Sequence, residues 1–272
     1  MEAQQTRALI DLTRRAGDAI LAVYRTDFDV ETKDDQSPLT QADLAAHRII
    51  VDGLGVLTPD IPLISEESSP ADFATRRGWR RYWLIDPLDG TKEFVNKNGE
   101  FTVNIALIED HQAVFGVVGV PAQDLVYTGD VAAGEAFRHA ADGVQALSGR
   151  TMTDAAPLVV VASRSHGGER LERYLEALAE RFSEVSRTPV GSSLKLCILA
   201  EGRADFYPRL GPTSEWDIAA AHAVLAAAGG AVWTGDGKPL RYNTKESFLN
   251  PEFFAAADGD YPWHERLPAV PA

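Results

Sequence analysis

Apolar residues recur every three or four positions near the start of the chain, at Leu9, Leu12, Ala16, Ala19, Ile20 and Val23. Arginines and acids fill the gaps between them, so the spacing predicts an amphipathic helix over residues 5–25. The polar stretch 27–37 reads as a strand or loop over the surface. A second helix is expected to start at Thr40, whose hydroxyl suits an N-cap, which places Asp43 at its third position. The rhythm then changes to short continuous apolar runs. Ile61–Ile64 and Tyr82–Ile85 read as strands, the first running into Ser65-Glu66-Glu67-Ser68 and the second into Asp86. Pro87 has no N–H to give a ladder, so the second strand is expected to stop at Asp86.

Residues 101–108 and 113–120 are two longer apolar runs around the polar turn 109–112, the pattern of a β-hairpin. Leu125–Thr128 and Glu135–Phe137 add further strands. Strands in succession without long helices between them predict an antiparallel sheet in the first half. The small, polar and irregular segment 140–156 is the expected boundary, giving an N-terminal α+β lobe over 1–145 and a C-terminal α/β lobe over 156–272. Strand and helix alternate in the second lobe. Strands are expected at 158–162, 185–187, 204–207 and 231–233, and helices at 169–182, 192–201 and 216–228.

Composition narrows the function classes. The chain has 272 residues, 45% of them hydrophobic and 24% charged, which is ordinary for a soluble protein with ample core. A net charge of −14 argues against nucleic acid or an anionic membrane surface as the main partner. It permits a phosphorylated small molecule, provided that metal ions supply positive charge locally. The single cysteine, Cys197, rules out an intrachain disulfide and lies in an apolar helical setting that suits a buried structural thiol. No secretory signal pattern or run long enough to span a membrane is evident, so a cytoplasmic location is expected.

Candidate chemistry lies where the apolar runs meet acids. In Asp86-Pro87-Leu88-Asp89-Gly90-Thr91 a tight curl can point both carboxylates and the Leu88 carbonyl at one spot. Oxygen-only donors of this kind suit a hard cation such as Mg²⁺. Gly90 and Thr91 then leave backbone amides free to face an anion. An ordinary Asp-Pro turn explains the same residues. Asp43 reads equally as a helix-start acid or as a site carboxylate. Glu66 matters only if its strand neighbours that of Asp86, since the two acids would then converge at one end of a sheet. A third acidic station, Glu215-Trp216-Asp217, opens a helix. Together the stations could build a two-metal oxygen site. Phosphatases that use Asp-x-Asp-Gly-Thr with a covalent aspartate need acids two apart; here they are three apart, which favours metal-activated water.

These motifs give the chain a specific resemblance. Thr40-Gln41-Ala42-Asp43, Ser65-Glu66-Glu67-Ser68, Asp86-Pro87-Leu88-Asp89-Gly90-Thr91 and Trp216-Asp217-Ile218-Ala219-Ala220, closing at Gly229-Gly230, resemble the inositol monophosphatase superfamily. Lys92-Glu93-Phe94, Gly191-Ser192-Ser193-Leu194-Lys195-Leu196-Cys197, Tyr207-Pro208-Arg209 and the tail Glu246–Pro251 resemble its bisphosphate-nucleotidase branch.

The resemblance implies a layered αβαβα sandwich and a lithium-sensitive, Mg²⁺-dependent enzyme. Its reaction would take adenosine 3′,5′-bisphosphate and water to AMP and phosphate, with inositol 1-phosphate or fructose 1,6-bisphosphate as the alternative substrates. It implies two Mg²⁺ ions, with room for a third. Glu66, Asp86 and the Leu88 carbonyl would hold one ion, and Asp86, Asp89 and Asp217 the other. Asp43 and Thr91 would orient and deprotonate the attacking water. Glu66, Asp89, Gly90, Thr91, His166, Ser192, Lys195, Arg209 and Asp217 would line the substrate, with Lys195 and Arg209 at the 5′-phosphate. A homodimer is compatible with it, and no nucleic acid or transmembrane segment is implied. A non-catalytic nucleotide-binding protein is the third reading, disfavoured because every expected acid is present.

Overall fold

Two long helices, α1 (Ala3–Tyr24) and α2 (Pro38–Leu57), lie against each other and bury Leu9, Leu12, Ala16 and Ile20 of the first with Ala42, Ala46, Ile50 and Leu54 of the second. This is the apolar stripe expected from the spacing. The computed structural model describes residues 1–26, 38–163 and 168–271. The expected strand or loop at 27–37 lies outside them. Helix α2 starts earlier than expected, at Pro38, so Thr40 stands inside its first turn and Asp43 a turn deeper. A proline at the helix start has its φ already set for helix, and its missing N–H is one that no helix would satisfy.

The strands follow as β1 (Leu63–Ser65), the short helix α3 (Phe73–Arg76), β2 (Arg81–Asp89), the short helix α4 (Thr91–Val95), β3 (Thr102–Glu109), β4 (Gln112–Val120), β5 (Leu125–Asp130), β6 (Glu135–Ala140) and β7 (Gly143–Ala146). They form one sheet in sequence order, antiparallel except that β1 runs parallel to β2. Strand β7 falls in the segment expected to be irregular. It is a wholly exposed edge strand, so burial left no apolar signature there. Alternation across β2 divides its side chains cleanly: Trp83 and Ile85 face α1 and α2, while Tyr82 and Leu84 face the second half of the chain.

That half contributes β8 (Leu158–Ser163), α5 (Glu169–Ala179), β9 (Val185–Val190), α6 (Leu194–Ala200), β10 (Phe206–Arg209), α7 (Glu215–Ala227), β11 (Ala231–Thr234), β12 (Phe253–Ala256) and the short helix α8 (Trp263–Arg266). The second sheet has the order β11-β12-β10-β8-β9, with β8 parallel to both β9 and β10 and the β12 pairings antiparallel. The partly parallel sheet is as expected; β12 and α8 were not foreseen. Helices α6 and α7 lie between the two sheets, and α5 packs on the far side against Phe206 and Phe254, which yields the layered αβαβα sandwich.

Close packing of α7 sets the position of the site. A Cβ on Gly116 would lie 2.1 Å from the Ala220 carbonyl oxygen, and one on Gly129 would lie 2.4 Å from Val224 Cα. The bare sheet surface and the alanines of α7 therefore bring backbone onto backbone. Among the described residues no helix is long and apolar enough to cross a membrane.

Candidate metal centre and substrate cleft

Strands β1 and β2 run side by side in the register Leu63↔Trp83, Ile64↔Leu84 and Ser65↔Ile85. The next residues are Glu66 and Asp86, and the Glu66 N–H still donates to the Ile85 carbonyl at 3.2 Å. The two acids thus leave one end of the sheet together, the condition on which Glu66 becomes a site residue. Helix α7 directs Asp217 at the same point. Carboxylate oxygens of Glu66, Asp86 and Asp217 lie within 4.8 Å of one another.

Strand β2 does not stop at Asp86. It continues to Asp89, with Asp86 opposite Asn104 and Asp89 opposite Thr102 across a slip in register. The irregularity absorbs Pro87, which has no N–H to pair, and the ladder resumes beyond it. The Leu88 N–H turns back to Asp86 Oδ1 at 3.0 Å, while the Leu88 side chain is buried. Gly90 follows at φ +89°, a conformation that strains any side chain, and a Cβ there would lie 3.3 Å from Phe101 Cα. Thr91 then opens α4.

Asp86 is buried, Asp217 half-buried and Glu66 exposed at the rim, and the acids repel one another. Burial, then Glu66, Asp89, Asp217 and Asp43, push Asp86 well above the usual carboxylate range. Asp217 rises to about 8, through burial first and Asp89 next. Glu66, at the open mouth of the cluster, rises to about 7 through burial of its carboxylate and repulsion from Asp89 and Glu67. Asp43 rises to about 9 through burial and repulsion from Glu67 and Glu66, and its Oδ1 is buried with no hydrogen-bond partner. A divalent cation answers this arrangement: the donors are all oxygen, they converge, and only added positive charge relieves their repulsion. The residues present therefore fit a hard metal ion.

Asp89 is placed differently from its neighbours. Its Oδ2 accepts the Ser193 N–H at 2.6 Å. Burial raises its pKa, against the opposing pull of Lys195 and that amide. Ser193 Oγ in turn donates to Asn104 Oδ1 at 2.7 Å and lies 2.8 Å from Thr102 Oγ1. Ser193, Thr102 and Asn104 were not among the expected site residues. Thr102 and Asn104 carried a local signal, since two polar residues two apart within an apolar strand share one face; Ser193 carried none. Asp217 fills both of the roles open to it: its Oδ2 takes the Ser214 N–H at 2.9 Å as a helix cap, while it also stands in the acidic cluster.

A cleft of about 260 Å³ opens beside the acids, lined by Asp89, Gly90, Thr91 and Asp217 together with Lys195, Tyr207 and Arg209. Lys195 and Arg209 are buried rather than surface cations. Lys195 Nζ donates to the Ser192 carbonyl at 2.5 Å and sits 5.6 Å from the Tyr207 ring centroid; burial lowers its pKa to about 8 against the pull of Asp89. Arg209 donates to the carbonyls of Gly211 at 3.1 Å and Pro212 at 2.7 Å. Ser192, at φ +43°, is held there by its Oγ donating to the Glu100 carbonyl at 2.6 Å. His166 lies outside the described residues. Cys197 is buried in α6, as a structural thiol should be.

The fold and the acid cluster define a class, and comparison with known proteins agrees with it. The model of the inositol monophosphatase family matches residues 1–265, and the chain belongs to that family. Among individual relatives, it is 51% identical over 244 residues to the Escherichia coli K12 protein named 3′(2′),5′-bisphosphate nucleotidase CysQ, covering 89% of this chain and 95% of that one. The crystal structure of CysQ from Bacteroides thetaiotaomicron superposes with a TM-score of 0.85 at 39% identity, over 94% of this chain and 98% of that one. An inositol monophosphatase from Zymomonas mobilis shares the fold, with a TM-score of 0.73 at 22% identity over 95% of each chain.

Proposed function

We propose that this chain is a 3′(2′),5′-bisphosphate nucleotidase that removes the 3′-phosphate of adenosine 3′,5′-bisphosphate with Mg²⁺. The observation that carries the reading is the pairing of two sites in one cleft. Asp89 and Asp217 of the acidic group line it, and so do the buried cations Lys195 and Arg209. A substrate with two phosphates meets both; a monophosphate meets one. High identity to proteins named for that activity supports the same substrate class.

Glu66, Asp86, Asp89, Asp217 and the Leu88 carbonyl would hold two Mg²⁺ ions, with Glu66 placed to support a third. Bound there, the metal supplies a water of lowered pKa and offsets phosphoryl charge. The chain's own residues do the rest. Asp43, through the carboxylate oxygen that has no partner, would take the proton of the attacking water, with the Thr91 hydroxyl fixing its orientation. The amides of Gly90 and Thr91 would face the scissile phosphate, and Ser192, Lys195 and Arg209 the remainder of the nucleotide. The test is phosphate release from the bisphosphate with and without Mg²⁺. Release should require the metal and vanish in Asp86→Asn; metal-independent release would refute the reading.

A further inference from the structure

Arg76 lies outside the cleft and belongs to no expected motif, yet it is only 2% exposed. It ends the short helix α3, between the strand that delivers Glu66 and the strand that delivers Asp86. Its guanidinium reaches into the C-terminal half and donates to Asn243 Oδ1 and to the Glu246 carbonyl, with a further bond to the Lys245 carbonyl at 3.4 Å. Asn243 Nδ2 returns a bond to the Arg76 carbonyl at 2.7 Å. The guanidinium carbon also stands 4.1 Å from the Phe248 ring centroid and 4.9 Å from that of Phe73. A planar cation with a fork of donors meets these demands together; an ammonium does not.

The loop that Arg76 grips is the one that grips the first turn of α7. The Asn243 N–H donates to Glu215 Oε2 at 2.8 Å, and the Glu215 N–H to the Phe248 carbonyl at 2.8 Å. Asn250 Nδ2 donates to the Ser214 carbonyl at 2.7 Å, and the Phe248 ring lies 4.9 Å from that of Trp216. Every residue from Ser214 to Trp216 is therefore tied to 243–250, and Asp217 comes next.

We infer that Arg76 is a positioning residue for the metal centre: it fixes Asp217 relative to Glu66 and Asp86 through the 243–250 loop. The inference rests on the metal reading above. Glu66 and Asp86 come from one sheet and Asp217 from a helix of the other half, so their convergence depends on whatever fixes the helix end against the strand ends. The Arg76 fork joins the two, and Phe248 carries the constraint onward to Trp216.

Mn²⁺ binding, read by loss of the free-ion electron paramagnetic resonance signal, tests this without turnover. Arg76→Lys keeps the charge and loses the fork; Phe248→Leu, at a partly buried position, loosens the far side of the same contact. Each should weaken Mn²⁺ binding by about tenfold or more, as expected when a group supporting a metal ligand is lost. The double variant should be no weaker than the worse single one, because both cut the same link. Wild-type affinity in a folded Arg76→Lys protein, or losses that multiply in the double variant, would overturn the inference. Should Arg76→Lys not fold, unchanged affinity in Phe248→Leu overturns it alone. Failure of the wild-type protein to take up Mn²⁺ would instead overturn the metal reading, and the inference with it.

Discussion

Ser193 donates its backbone N–H to Asp89 Oδ2 at 2.6 Å, and this bond joins the acidic cluster to the turn that carries Ser192 and opens α6, with Lys195 in its first turn. The Ser193 hydroxyl is seated on Asn104 at the same time. Asp89→Asn keeps an oxygen for the amide to bond and loses the charge. It should leave the fold intact while lowering kcat by at least about a hundredfold, an effect in the range found for removing a key electrostatic group. A thermal melt alongside initial rates checks both halves; near-normal turnover would contradict the role given to Asp89.

The metal should also appear in stability. The carboxyls of Asp43, Asp217 and Glu66 have folded-state pKa values of about 9, 8 and 7, all raised above the usual value near 4. Without metal the folded protein therefore binds more protons than the unfolded chain, and stability falls as pH rises from about 4 through those values. Bound cation favours the ionised acids and removes the penalty. Melting temperature in chelator should drop between about pH 6 and pH 9, while in Mg²⁺ the drop should largely disappear. Parallel curves would argue against a metal at the cluster.

An opposite dependence is expected from His222. It is half-buried on α7, with Nδ1 2.8 Å from the Tyr242 hydroxyl, and burial lowers its pKa to about 4. Protonation then favours the unfolded chain, so His222 costs nothing above about pH 6.5 and a growing amount below it, reaching roughly 3 kcal/mol near pH 4. In His222→Asn the lost packing should destabilise at neutral pH, and the gap from wild type should narrow as pH falls from about 7 to about 4. Denaturant midpoints across that range decide it. A gap that stays constant would show that His222 does not titrate as described.

Two glycines should respond in opposite directions. Gly129→Ala places a methyl 2.4 Å from Val224 Cα, which is backbone and cannot swing aside; it should lose about 2 kcal/mol or more and weaken Mg²⁺ activation by displacing α7. Gly55→Ala in α2 meets nothing within 4 Å and should gain roughly 0.5–1 kcal/mol. Chemical denaturation of the pair measures both.

Amphipathic spacing made α1 and α5 legible because each buries one face, while enclosed elements such as β3 showed as continuous apolar runs. Strand β7 escaped because it buries neither face, and the start of α2 was misplaced because Thr40 offered a better local cap than the proline that begins the helix. The acids were legible as stations, but their convergence needed the parallel register of β1 on β2, a long-range pairing that no local pattern encodes. Thr102 and Asn104 share a strand face that the sequence displays, but their partner Ser193 emerges only when two distant segments meet. Arg76 was invisible for the same reason: its partners lie some 170 residues further along the chain.

The most direct measurement compares initial rates of phosphate release from adenosine 3′,5′-bisphosphate, inositol 1-phosphate and fructose 1,6-bisphosphate in Mg²⁺. With Asp89 and Asp217 lining the cleft together with the buried pair Lys195 and Arg209, kcat/KM should be highest for the bisphosphate nucleotide, and Arg209→Ala should reduce that preference mainly through KM. Faster turnover of inositol 1-phosphate than of the nucleotide would contradict the account.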